Sequence, residues 1–221
     1  HHTDNNFHDV TIFMDGKEHN AQDAEGKYSI PFDAVNNDDS KFPDAIFKAD
    51  GNVYIKDSCI STQSTNAVYT RLGSADKPNI DFRGAEKVVV IANALQDGYG
   101  SQALSAKNGG CIAIATQETG YTKIIGDIDM AHKKGGTISV DLNNENSYWY
   151  GNHKIDYEKE ISGITLKFQN EGNLQLTIRN GAEWIYTTGE KSDSGESYTT
   201  GKSISKVTLK DGGIINLRNA D

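Results

Sequence analysis

The chain has 221 residues, 36% of them hydrophobic and 24% charged, with a formal net charge of -9. That acidity, with no basic cluster anywhere along the chain, excludes the electrostatic footprint of a nucleic-acid binder and disfavours docking on anionic lipid. A mean hydropathy of -0.61 is low for a compact two-layer core, yet 9% aromatic residues keep the chain out of the disordered class. A solenoid, which buries fewer residues per unit length, suits such a composition.

Residues 1–44 read as an irregular N-terminal segment or cap in which a first coil can begin. Val10, Ile12 and Met14 mark a strand closed by the turn dipeptide Asp15-Gly16. Tyr28 and Ile30 mark a second. The stretch 33–44 is rich in oxygen ligands, including Asn36, Asn37, Asp38 and Asp39. It lacks the residue order and the closing Glu of a calcium loop and is read as a solvated loop.

From residue 45 to 221 the chain repeats itself, the signature of stacked units. The clearest unit has Ala103 and Leu104, a polar turn through Gly109 and Gly110, then Cys111, Ile112 and Ile114. The same order is read at 45–55 through Gly51 and, more loosely, at 67–82 through Gly73. Further strands are expected around 53–55, 59–61, 88–91, 124–125, 128–130, 137–142, 147–150, 164–166, 174–178, 183–185, 204–209 and 214–217. No stretch has the 3.6-residue period of an amphipathic helix, which excludes a parallel sheet with helical crossovers.

Two all-β architectures remain: a parallel β-helix of about eight coils stacked at one strand spacing, or an antiparallel β-sandwich. The Asn-Gly and Asp-Gly pairs between strands are the usual mark of hairpins and speak for the sandwich. Recurrence of like residues at like places, a bend through Gly without a fixed two-residue loop, and abundant Asn speak for the coil. In a coil, Ile112, Ile114, Ile138, Val140, Leu174 and Leu176 would face inward and stack into ladders.

Three runs carry a family likeness. One passes from Gly126 and Asp127 through Gly136, Ile138 and Val140 to Tyr148, Trp149 and Tyr150. A second runs from Gly172, Leu174 and Leu176 to Gly181 and Trp184, and a third from Val207 through Gly212 and Gly213 to Leu217. Together they resemble the passenger domains of bacterial autotransporters, of the pertactin-like adhesin type, over roughly 45–221. The resemblance implies a right-handed, three-sided parallel β-helix. It implies secretion through a C-terminal membrane barrel absent from this sequence, and display outside a Gram-negative cell. Strand-like pattern close to both ends marks the chain as a fragment of a longer passenger. Two cysteines depart from the many passengers that have none.

Candidate chemistry is sparse. Asp193, Ser194 and Gly195 form part of a serine-nucleophile turn, but Ser192 stands where Gly is needed, so the stretch is read as a loop. Arg71, Arg83, Arg179 and Arg218 lack the dense acidic group that a calcium-dependent polysaccharide lyase needs. Asp127 and Asp129 alternate on one strand and are read as a solvated face. His19, His132 and His153 are isolated, the last two in turns, so no metal or other cofactor is expected. Cys59 and Cys111 match no metal spacing and are read as buried thiols, with a disulfide between neighbouring turns as the alternative. The most distinctive cluster is Tyr148-Trp149-Tyr150: alternation puts Trp149 on one side and both tyrosines on the other. Tyr148 and Tyr150 are therefore the candidate binding residues, able to stack on sugars or a protein partner.

The expected function is that of a non-enzymatic cell-surface adhesin. Its partners would be a host glycan, a matrix protein or another copy of itself, with no nucleic acid and no membrane contact except through the absent barrel. A glycan lyase or hydrolase on the same scaffold, or a purely structural stalk, is the alternative.

Overall fold

The computed structural model describes residues 5–14, 32–35, 47–57, 66–71, 78–92, 102–107, 109–130, 135–154, 157–161, 164–168, 172–187 and 206–219. Among them there is no helix. In chain order the strands are β1 (Asn5–Met14), β2 (Phe32–Val35), β3 (Phe47–Asp57), β4 (Asn66–Arg71), β5 (Ile80–Arg83), β6 (Lys87–Ala92) and β7 (Gln102–Lys107). Then follow β8 (Cys111–Ala115), β9 (Tyr121–Ile125), β10 (Asp127–Asp129), β11 (Thr137–Leu142), β12 (Tyr148–Gly151) and β13 (His153–Lys154). The last are β14 (Tyr157–Ile161), β15 (Ile164–Phe168), β16 (Asn173–Ile178), β17 (Glu183–Thr187), β18 (Lys206–Leu209) and β19 (Ile214–Asn219).

These strands make three parallel ladders. The first ladder runs β1–β3–β5–β8–β11–β16–β18. The second runs β1–β3–β6–β9–β12–β17–β19. The long strands β1 and β3 belong to both, one half to each. The third runs β2–β4–β7–β10–β13. Successive strands of the chain lie in different ladders and pair with strands of the neighbouring rungs, so the fold is a parallel, solenoid-like all-β coil. Only β14 and β15 pair antiparallel among the described strands, as a separate two-stranded sheet. The antiparallel sandwich is thereby ruled out for the described strands.

Alternation explains the core. Ile112, Ile138 and Leu174 stand in one register column and Phe82, Ile114, Val140 and Leu176 in the next, all buried. This is the ladder arrangement expected of those aliphatics. A column of the second ladder reads Ile12, Ile55, Val90, Ile124, Trp149, Trp184 and Ile215. No rung could bury such residues alone, since each takes its apolar neighbours from the rungs beside it.

Two Asn-Gly and Asp-Gly pairs among the described residues do not make hairpins. Asn180-Gly181 (φ 54 and 80) joins β16 to β17, and Asp211-Gly212 (φ 50 and 78) joins β18 to β19. Both have the two left-handed residues of a hairpin turn, and both are closed by a backbone bond across the turn, from Ala182 to Arg179 (3.1 Å) and from Gly213 to Lys210 (3.0 Å). The flanking strands, however, pair up and down the stack, not with each other. The turn is a corner between the first and second ladders.

Corner asparagines tie rung to rung. The Asn143 amide donates to the Gln117 carbonyl (2.7 Å), and the Asn180 amide donates to the Asn143 carbonyl (3.0 Å). Asn144 donates to the Gly120 carbonyl. These amides satisfy corner carbonyls of the rung before.

The repeat units need one correction. Residues 103–114 cross from the third ladder to the first, and so do 67–82, with Val68 opposite Leu104 and Ile80 opposite Ile112. The tighter copy at 45–55 instead crosses from the first ladder to the second through Gly51, inside β3. It is out of phase with the other two. Any corner that bends through Gly between two alternating runs reads alike in sequence.

Candidate functional site

The outward side of the second ladder is the candidate site. Its inward residues alternate with a set that faces solvent: β6 is buried at Val88 and Val90 and partly exposed at Val89 and Ile91, and β9 is partly exposed at Tyr121, Lys123 and Ile125. In β12 the order is Tyr148 partly buried, Trp149 buried and Tyr150 exposed at 42%. Both candidate tyrosines therefore lie on the side opposite Trp149, as alternation requires.

Register assembles these residues into columns. One reads Tyr54, Val89, Lys123, Tyr148, Glu183 and Ile214, and the next reads Lys56, Ile91, Ile125, Tyr150, Ile185 and Asn216. A third brings Lys87 against Tyr121. With rungs about 4.8 Å apart, the result is a continuous strip of aromatic rings, aliphatic side chains and lysines. The Lys123 ammonium lies 4.7 Å from the Tyr121 ring centroid and 5.7 Å from that of Tyr148, and Lys87 lies 5.8 Å from Tyr121. These are cation–π distances, so the rings hold the lysines in place. No carboxylate lies within ion-pair distance of Lys87 or Lys123 among the described residues. Glu183 is engaged sideways, accepting from the Asn216 amide at 2.7 Å.

The first ladder's outward side is different. It presents Thr137, Ser139 and Asp141 on β11, and Asn173, Gln175 and Thr177 on β16. Its two arginines are paired within the face: Arg179 grips Asp141 through two nitrogens (3.1 and 3.0 Å), and Arg83 grips Asp81 (2.8 and 2.7 Å). Burial pushes the Asp81 carboxyl upward, but the Arg83 hydrogen bonds outweigh it and hold the group below its ordinary range. Each arginine is thus committed to one aspartate. Burial pushes the neighbouring Cys111 thiol up, and Cys111 is free and buried. Cys59 lies outside the described residues.

Two expectations are overturned. Asp127 and Asp129 do not form a solvated face, being 8% and 3% exposed. Gly126 turns the chain at the corner, and the Asp127 carboxylate folds onto the next rung, accepting from the Asn152 backbone N–H at 2.9 Å. Nor does His153 sit in a turn. It begins β13, continues the column Val68, Leu104 and Ile128, and meets the Trp184 ring edge-on at 5.9 Å. It is a core histidine. His19, His132, Ser192, Asp193 and Ser194 lie outside the described residues, as do 36–44 of the acidic stretch. No group of three metal-ligating side chains occurs among the described residues.

Sequence patterning alone does not single out Tyr54, Lys87, Tyr121 or Lys123. The signal that finds them is register: aligning Val90, Ile124 and Trp149 as one inward column leaves Lys123 and Tyr148 adjacent on the outside. Comparisons with protein-family models, with curated proteins and with solved structures find no match to this chain.

Proposed function

We propose that this chain is a non-enzymatic adhesive segment of a bacterial autotransporter passenger, displayed on the outside of a Gram-negative cell. The coil is then right-handed and of about eight turns in the whole chain, as such passengers are built. Attachment is made by the outer strip of the second ladder, to a host glycan, a matrix protein or another copy of the chain.

The observation that carries this reading is the alignment of Tyr121, Lys123, Tyr148 and Tyr150 on adjacent rungs of one face. Faces of repeated contacts gain strength by multivalency, many weak contacts acting together. Catalysis instead needs convergent groups in a concave site that excludes water. The paired arginines and buried aspartates described above favour attachment over a lyase.

The test is an array of glycans and matrix proteins probed with the purified chain, run beside sedimentation over a range of concentrations. Adhesion predicts retention on at least one ligand, or concentration-dependent dimers. Release of unsaturated sugars from acidic polysaccharides would contradict it, as would a strict monomer that binds nothing.

A further inference from the structure

We infer that the ligand of this strip is a linear polysaccharide bearing uronate carboxylates; the inference rests on the adhesive reading above. Three features of the strip point to it. The first is charge. The chain carries 31 acidic against 22 basic residues, yet Lys87 and Lys123 stand on neighbouring rungs with no carboxylate at ion-pair distance among the described residues. The arginines of the first ladder, by contrast, are each matched to an aspartate. Two cations left unmatched on one face of an acidic molecule favour an anionic partner.

The second feature is the aromatic setting. Lys123 lies over the Tyr121 ring and near that of Tyr148. A pyranose ring presents apolar C–H groups on one face and a carboxylate at its rim. Tyrosine rings stack against the former while the ammonium meets the latter, and the same rings keep the ammonium in place beforehand. Preorganisation of this kind lowers the ordering cost of binding.

The third is shape. The columns continue from rung to rung along one face. A repeating face suits a linear chain that meets several rungs in succession, with each contact weak and the sum multivalent. Lysines, as rotatable point charges, accommodate a carboxylate at more than one offset.

The test uses the whole 221-residue chain with polygalacturonate as probe, dextran as neutral control and dextran sulfate as sulfated control. Lys123→Gln and Lys87→Gln are each expected to weaken polygalacturonate binding at least about fivefold and to reduce its salt dependence. Lys206→Gln removes the same charge from an exposed position of the first ladder and is expected to change binding less than about twofold. Far-UV circular dichroism of every variant checks that the coil is intact. Failure to bind polygalacturonate, tighter binding to dextran sulfate, or an equal effect of Lys206→Gln overturns the inference. If the strip variants abolish instead attachment to a protein, or dimerisation, the adhesive reading stands and the polyuronate ligand falls. If strip variants change no attachment at all, both fall.

Discussion

The indole of Trp184 lies flat on that of Trp149, with ring centroids 4.7 Å apart and planes within 3°. The two residues are register partners on adjacent rungs of the second ladder. Each indole N–H donates to a glycine carbonyl one rung back, Trp149 to Gly126 and Trp184 to Gly151, both at 3.0 Å. A Cβ at Gly151 would run into the Gly126 carbonyl and the Trp149 indole nitrogen, so the glycine is needed for the close approach. These are the only two tryptophans in the chain, and both sit in one column of the core.

Removing one ring should therefore be costly and visible. Trp149→Ala is expected to lower unfolding stability by about 3–5 kcal/mol, the range for deleting a large buried aromatic. Denaturant titration measures the loss. Parallel stacked indoles couple their transitions, so the wild type should show an exciton signal in circular dichroism that disappears in Trp184→Phe as well as in Trp149→Ala.

The corner at Gly181 gives a smaller, local effect. Its φ of +80 is a conformation that L side chains rarely adopt. Gly181→Ala should cost about 1–2 kcal/mol through backbone strain alone. Asn180→Ala should add the loss of the bond to the Asn143 carbonyl, about 1 kcal/mol. Thermal denaturation of the single and double variants tests whether the two losses add.

Asp81 sets an acid limit. Its folded value lies below the ordinary 3.8 because Arg83 outweighs burial. The unfolded chain thus binds more protons between those two values, and stability falls as pH falls through that window. The contribution is fully present above about pH 4–5. Denaturant midpoints from pH 6 to pH 2 should show the fall, with the portion due to this pair absent in Asp81→Asn.

His8 acts in the opposite sense. Its ring lies 2.6 Å from the Asp50 carboxylate and 3.6 Å from that of Asp9, and the hydrogen bond to Asp50 raises its value above 6.5, with Asp9 and Glu86 adding to the rise. Stabilisation from this contact is complete below the unfolded value and lost as pH rises through the folded one. It joins the corner of β1 to that of β3, so hydrogen exchange of β1 amides should quicken on going from pH 6 to pH 8, after correction for the intrinsic rate. His8→Gln should remove that dependence.

Much of the coil is legible from two-residue alternation. Ile112, Ile114, Ile138 and Val140 could be placed inward because no other element competes for their period. What sequence alone does not show is which rung lies on which. The stretch 45–55 resembles 103–114 because both bend through Gly, yet they occupy different corners. The buried state of Asp127 was equally hidden: it depends on the Asn152 N–H, contributed by the next rung. The site was half legible. Tyr148 and Tyr150 declare themselves beside Trp149, whereas Lys87, Tyr121 and Lys123 join them only once the register is known.

The central claim is that the outer strip of the second ladder makes the attachment. Its most direct test is binding of a Tyr148→Ala/Tyr150→Ala double variant to whichever ligand retains the wild-type chain, measured beside a Gln175→Ala/Thr177→Ala variant of the first ladder. Aromatic contacts of this kind are each worth about 1 kcal/mol or more, so the tyrosine variant should bind at least about tenfold more weakly while the first-ladder variant binds as wild type. Undiminished binding by a folded tyrosine variant, or an equal loss from the first ladder, would contradict the account.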